Sequence, residues 1–364
     1  LSGTRASSRR SSSATETSSK RAIFGGSRRN FLSYRPIVRV FVRHFGMGGL
    51  RHMSTELFIL LLLGALVLAN VALEFIARWR NPPIGEFLDI NGVRLHFIIV
   101  GDPGAPPLVM FHGNGTLLQD FTISGLVDAA AKKFRVICFD RPGFGHSSRP
   151  RTVIWSPERQ AELCCAALTR LGIERPLVLG HSWGTLVALA MAARNGERVK
   201  GLVLVSGYYF PTWRFDVWFA GIAAIPLIGD TLRYTISPIS SWLGLPLFAK
   251  KTFAPKPVPD IVKKEYPRLM LIRPSQLRAV AEDSAFMLPS AAMLTRSYHR
   301  IKCPAAIIAG RDDQIVRSEQ AVRLQMAMPH AAVAIVPEAG HMVHYFTADG
   351  IVKTAEVVRV EAGL

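Results

Sequence analysis

The stretch Pro176-Leu177-Val178-Leu179-Gly180-His181-Ser182-Trp183-Gly184 runs from a short apolar strand into a turn. The apolar residues that follow, through Asn195, continue as a helix. Gly180 to Gly184 spells G-x-S-x-G. Two glycines let the chain turn sharply from strand to helix and leave the serine hydroxyl exposed above a sheet. The pentapeptide alone is a weak signal, since an ordinary glycine turn produces it too. The strand before it and the helix after it make it specific.

Outward from this turn, the chain alternates short apolar runs with helical patterns. Glu86–Ile90 and Val93–Gly101 flank Asn91-Gly92, a hairpin signal because both central residues need positive φ. Further strands are expected at Pro107–His112, Phe134–Asp140, Pro176–Gly180, Val199–Ser206, Pro304–Gly310 and Ala331–Pro337. These runs lack polar alternation, as parallel strands buried on both faces do. Helices are expected over Gln119–Lys133, Ser156–Leu171, Trp183–Asn195, Arg317–Met328 and Thr347–Val360. The fold class is α/β: a mainly parallel sheet entered through an antiparallel hairpin, with its core over 85–207 and 298–364. Residues 208–297 break the alternation and are rich in proline and apolar residues, among them Trp213, Trp218, Trp242, Pro246 and Phe248. Too long for a loop, this insertion is expected to be a helical cap over the strand ends.

A serine hydroxyl attacks only when a base removes its proton and a third group holds that base. In this strand–turn–helix context the partners follow in the order serine, acid, histidine. His341, in Pro337-Glu338-Ala339-Gly340-His341, sits just past the last strand, with His344 as the fallback. The preceding strand leads into Gly310-Arg311-Asp312-Asp313, where Asp313 is preferred and Asp312 is the alternative. An acid after Val199–Ser206 is disfavoured, since the first one there is Asp216.

With these residues in place, the chain resembles the α/β-hydrolase fold superfamily, in its serine-nucleophile, esterase- and lipase-like branch, from about Glu86 to the C-terminus. Phe111-His112-Gly113-Asn114-Gly115 is similar to that family's H-G loop. The resemblance implies an oxyanion hole made by the backbone N–H groups of Asn114 and Trp183. Asp140-Arg141-Pro142-Gly143-Phe144-Gly145-His146-Ser147 resembles the family's D-x-P-G-x-G-x-S turn and reads as structural, as does His112. Epoxide hydrolases and haloalkane dehalogenases of this fold have an aspartate nucleophile. Ser182 stands at that position, which disfavours those activities and points to ester hydrolysis through an acyl-enzyme. Acyl transfer, perhydrolysis, carbon–carbon hydrolysis with the same triad, and a catalytically idle membrane-tethered binding module are the alternatives. No metal, nucleotide or cofactor motif is present, and all four cysteines read as free thiols.

The net charge of +18 over 364 residues would suggest a polyanionic partner. Its distribution argues otherwise: residues 1–55 hold eleven Lys/Arg and one acid, leaving +8 on the other 309. Nucleic-acid binding is therefore not expected. Eight serines among the first twenty residues make the tail a segment expected to be disordered. Leu57–Leu73 is seventeen residues without a charge. Within a segment spanning 56–78, it reads as a membrane anchor through 57–77, or as a secretory signal cleaved after Val67-Leu68-Ala69. Translation from Leu1, Met47 or Met53 decides the side of the membrane: the long basic tail would keep the N-terminus cytoplasmic, whereas a start at Met53 favours a cytoplasmic domain. A small-molecule or lipid ester is the expected substrate.

Overall fold

The computed structural model describes residues 54–213 and 215–364. The expectation for the basic tail falls, up to residue 53, outside the described residues. Helix α1 (Thr55–Arg80) precedes the sheet. Asn91 and Gly92 take φ of 51° and 77°, as a two-residue hairpin requires. Strands β1 (Glu86–Ile90) and β2 (Val93–Val100) accordingly pair antiparallel, with Ile90 opposite Val93. β2 also runs antiparallel to β4 (Arg135–Phe139). The other neighbours, built from β3 (Pro107–Phe111), β4, β5 (Leu177–His181), β6 (Gly201–Val205), β7 (Ala305–Gly310) and β8 (Ala332–Val336), are parallel.

The strand order is β1-β2-β4-β3-β5-β6-β7-β8. The chain steps from β3 out to β4 and then returns across β3 to lay down β5. Open α/β sheets bind ligands outside the carboxyl ends of the strands at such a reversal, and the loops after β3 and β5 meet there. β5 and β6 are buried along their whole length. Each valine or leucine so buried contributes about 1.5–3 kcal/mol. β8 departs from the expectation of a strand covered on both faces: it alternates exposed and half-buried residues, because it forms the edge of the sheet.

The core helices are α2 (Gln119–Ile123), α3 (Leu126–Ala131), α4 (Pro157–Arg170), α5 (Gly184–Arg194), and, beyond the cap, α12 (Glu319–Ala327) and α13 (Ala348–Glu361). The single helix expected over Gln119–Lys133 is in fact two. Gly125, at φ 76°, takes a left-handed conformation that ends one helix and caps the next.

Between β6 and β7 the described residues form helices α6 (Phe215–Ile222), α7 (Ile228–Tyr234), α8 (Ser237–Phe253), α9 (Asp260–Glu265), α10 (Arg268–Ile272) and α11 (Pro274–Thr295). α11 packs on α6, α7 and core helix α5, joining cap to sheet. α1 contains an 18-residue window of mean hydropathy 2.5, of which 6% is buried, and is long and apolar enough to cross a membrane. Its second half is not free. Asn70 Nδ2 donates to Tyr234 O at 2.8 Å and Thr235 O at 3.3 Å, at the end of α7. Glu74 accepts from the Ser275 N–H at 3.1 Å and hydroxyl at 2.8 Å and faces Arg273 at 3.4 Å.

Candidate active site

Ser182 follows β5 at φ 52°, a strained conformation for a non-glycine residue. The chain reaches it only because its neighbours lack side chains. A Cβ on Gly184 would lie 2.2 Å from Phe111 O, and one on Gly180 would lie 2.7 Å from Gly184 O. The elbow is pinned by Ser182 N–H donating to Val205 O at 2.9 Å. Its hydroxyl thus stands at the carboxyl end of the sheet, where α5 begins.

His341 Nε2 lies 2.8 Å from Ser182 Oγ, and His341 Nδ1 lies 2.8 Å from Asp313 Oδ2. The other Asp313 oxygen accepts from the backbone N–H groups of Ile315 at 2.7 Å and Val316 at 2.8 Å. The carboxylate is therefore fixed with one oxygen aimed at the imidazole. Asp312, the alternative acid, is exposed, and its N–H donates to Ala339 O. His344, the fallback base, is fully buried, with Nε2 3.2 Å from Asp120 Oδ2. The structure thus brings Ser182, Asp313 and His341 together and leaves Asp312 and His344 out of that group.

The loop after β3 comes up beside the serine: a Cβ on Gly113 would lie 3.1 Å from Ser182 Cβ. Among the described residues, the backbone N–H groups of Asn114 and Trp183 donate to no protein acceptor. His112 braces this loop. Its Nε2 accepts from Arg141 N–H at 3.0 Å while Nδ1 donates to Gly113 O at 2.8 Å. Burial first, and the Arg141 charge second, hold this imidazole neutral, with its pKa pushed down to about 3. Asp140 anchors the following turn through His96 Nδ1 at 2.6 Å, His146 N–H at 2.9 Å and Leu118 N–H at 2.9 Å. Burial alone would raise its pKa, but these bonds, the one from His96 foremost, hold it down at about 2.

Several supports gave no signal in the sequence. Arg141, fully buried, donates to His112 O and Gly113 O, both at 2.9 Å, and pairs with Asp283 of α11 at 2.5 Å. Arg149 reaches the other Asp283 oxygen at 3.0 Å. Asn114 Nδ2 donates to Val280 O and Ser284 Oγ of α11, and Trp183 Nε1 donates to Asp283 O at 2.9 Å. Thr252 O, at the end of α8, accepts from the N–H groups of His341 and Met342 at 3.0 and 3.3 Å. The cap therefore holds both the histidine loop and the H-G loop. In the sequence Arg141 is one residue of a turn motif, with no indication of a partner 142 residues away.

The sequence profile described as "alpha/beta hydrolase fold" matches residues 106–348. Haloalkane dehalogenase 2 of Mycobacterium tuberculosis is 24% identical over 272 residues, covering 73% of this chain and 91% of that protein. The 2-hydroxymuconate semialdehyde hydrolase of Pseudomonas putida is 27% identical over 299 residues, covering 79% of this chain and 98% of the relative. Among solved structures, a bacterial membrane phospholipase A described as a virulence factor superposes with a TM-score of 0.59 at 16% identity. It covers 91% of this chain and 99% of its own, a likeness of fold alone. The profile match spans more than half the sequence, and the chain belongs to the α/β-hydrolase fold family.

Proposed function

We propose that the protein is a membrane-anchored serine hydrolase that cleaves hydrophobic acyl esters through an acyl-enzyme. The observation that carries this reading is the aligned relay Ser182 Oγ, His341 Nε2, His341 Nδ1, Asp313 Oδ2, with both contacts at 2.8 Å. His341 Nε2 takes the serine proton as Oγ attacks the ester carbonyl. The Asp313 carboxylate fixes the Nδ1–H tautomer and balances the imidazolium charge. The Asn114 and Trp183 N–H groups receive the oxyanion, each such donor contributing roughly 3–4 kcal/mol to the transition state. The carbonyl–oxygen bond of the ester then breaks, and the departing alkoxide leaves with the proton from Nε2. Water, deprotonated by the same nitrogen, releases the acid and restores Ser182.

The substrate class rests on the surface. Fifteen helical residues precede Asn70 in α1, about 22 Å of helix at 1.5 Å per residue. That is short of the roughly 30 Å of a bilayer core. A helix held to the cap from Asn70 onward brings α7 and α8 to the membrane surface. These helices and Ile236 between them present Ile228, Ile236, Ile239, Trp242, Leu243 and Leu247 to solvent. Such a face draws acyl chains from the bilayer to the cap.

A second reading is carbon–carbon bond hydrolysis, favoured by the semialdehyde hydrolase aligned over 98% of its length. Dehalogenation is disfavoured, because displacement of halide needs a carboxylate nucleophile where this chain has Ser182. Turnover of p-nitrophenyl esters of increasing chain length by the detergent-solubilised protein tests the proposal. A rise from short to long acyl chains is expected, a flat profile would remove the lipid substrate, and no ester turnover would overturn the reading. Ester products formed in the presence of added alcohol would assign acyl transfer instead.

A further inference from the structure

Behind the serine lies a second cluster that the hydrolytic reading leaves without a task. Asp120 on α2, His181 at the end of β5 and His344 three residues past His341 are at most 1% exposed. Each offers a ligand atom within 4.8 Å of the others'. Among the described residues, Asp120 Oδ2, His181 Nδ1 and both His344 nitrogens have no hydrogen-bond partner. Four orphaned polar atoms in one fully buried spot are rare in native proteins. Asp120 Oδ2 and His344 Nε2 stand 3.2 Å apart without hydrogen-bond alignment. That matches the edge, roughly 3.3 Å, of a tetrahedron with metal–ligand bonds of about 2.0 Å.

The surrounding contacts engage the other atoms of His181 and Asp120 and leave these ones unshared. His181 Nε2 donates to His341 O at 3.1 Å, which leaves Nδ1 as a bare lone pair. Asp120 Oδ1 accepts from the Tyr345 hydroxyl at 2.9 Å, so Oδ2 is the oxygen turned inward. Metal-bound histidines and carboxylates are held by outer partners of this kind. Two imidazoles and one carboxylate form a three-ligand donor set that zinc accepts, with its fourth position open to water.

We propose that Asp120, His181 and His344 bind one Zn²⁺ ion as a structural centre. The ion ties together three segments that serve the active site. These are the residue before Ser182, the loop carrying His341, and the helix that follows the H-G loop. It takes no part in bond breaking, and the inference stands apart from the choice of substrate.

The test is elemental analysis of the full-length protein purified from zinc-supplemented medium, followed by chelation and zinc titration with thermal melting as the readout. About one zinc per chain is expected. Chelation should lower the melting temperature by roughly 5 °C or more, reversed by zinc. His344→Gln and Asp120→Asn should each lose most of the metal, whereas Ser182→Ala should retain it. Protein that is isolated free of zinc and melts unchanged when zinc is added overturns the proposal. Retention of full zinc content by His344→Gln, with the variant folded by circular dichroism, places the metal elsewhere and overturns it as well.

Discussion

Asp283→Ala is the perturbation whose cost follows most directly from the packing. The Asp283 carboxylate is fully buried on α11 and lies 2.5 Å from Arg141 and 3.0 Å from Arg149. Removing it leaves Arg149 paired with Glu282 at 2.6 Å. Arg141 keeps neutral acceptors in Gln160, His112 and Gly113 but loses its carboxylate. Breaking a buried ion pair from one side costs about 3–5 kcal/mol, and the surviving acceptors place this case near 3. For a domain of this size that corresponds to a fall of roughly 6–12 °C in melting temperature, read by scanning fluorimetry. Asp283→Asn keeps the shape and one acceptor oxygen, and should fall by less. Asp260→Ala removes an exposed pair with Lys263 and should leave the melting point unchanged. An Asp283→Ala protein melting within about 2 °C of wild type would mean that this charge does not lock cap to sheet.

Asp313→Asn should lower turnover by about 10³–10⁴-fold, because an amide no longer holds the Nδ1–H tautomer of His341. Asp312→Asn should leave steady-state ester hydrolysis within about twofold of wild type, since exposed substitutions rarely matter. Acid should destabilise the fold well above the carboxylate range. His112 and His146 are held at about 3 and about 4 by burial, against 6.5 when unfolded. Depressed values mean that the unfolded chain binds protons first. The stabilisation is complete above pH 6.5 and is lost as pH falls toward those values. At pH 5 the fully buried His112 alone removes about 2 kcal/mol relative to pH 7.5. Urea midpoints at the two pH values read this directly, and an unchanged or higher midpoint at pH 5 contradicts it.

The elbow was legible because its requirements are local. Gly180 and Gly184 are small where backbone passes within 3 Å of a would-be Cβ, and the flanking period changes from strand to helix within a few residues. Asn91-Gly92 was legible for the same reason. His341 and Asp313 are expected from chain order alone, and the structure sets the carboxylate of Asp313 against the imidazole. The break at Gly125 was missed because the helical pattern continues on both sides, and only a left-handed φ reveals the turn. The cap contacts were invisible for a different reason. Asp283 with Arg141, Thr252 with His341, and Asn70 with the end of α7 join residues from 89 to 165 positions apart. No periodicity links them, and a charged or polar residue in a helix reads as solvent-facing until its partner is seen. Asn70 and Glu74 are the clearest instance: within an apolar segment they look like blemishes, yet they hold the helix to the cap.

The proposed chemistry depends on Ser182 acting as a nucleophile activated by His341. Treating the purified protein with a fluorophosphonate and locating the adduct by peptide mass spectrometry examines that role. A single adduct is expected on the peptide carrying Ser182, absent from Ser182→Ala, whose circular dichroism and melting temperature match wild type. Absence of labelling in the folded wild type, or equal labelling of Ser182→Ala, would contradict it.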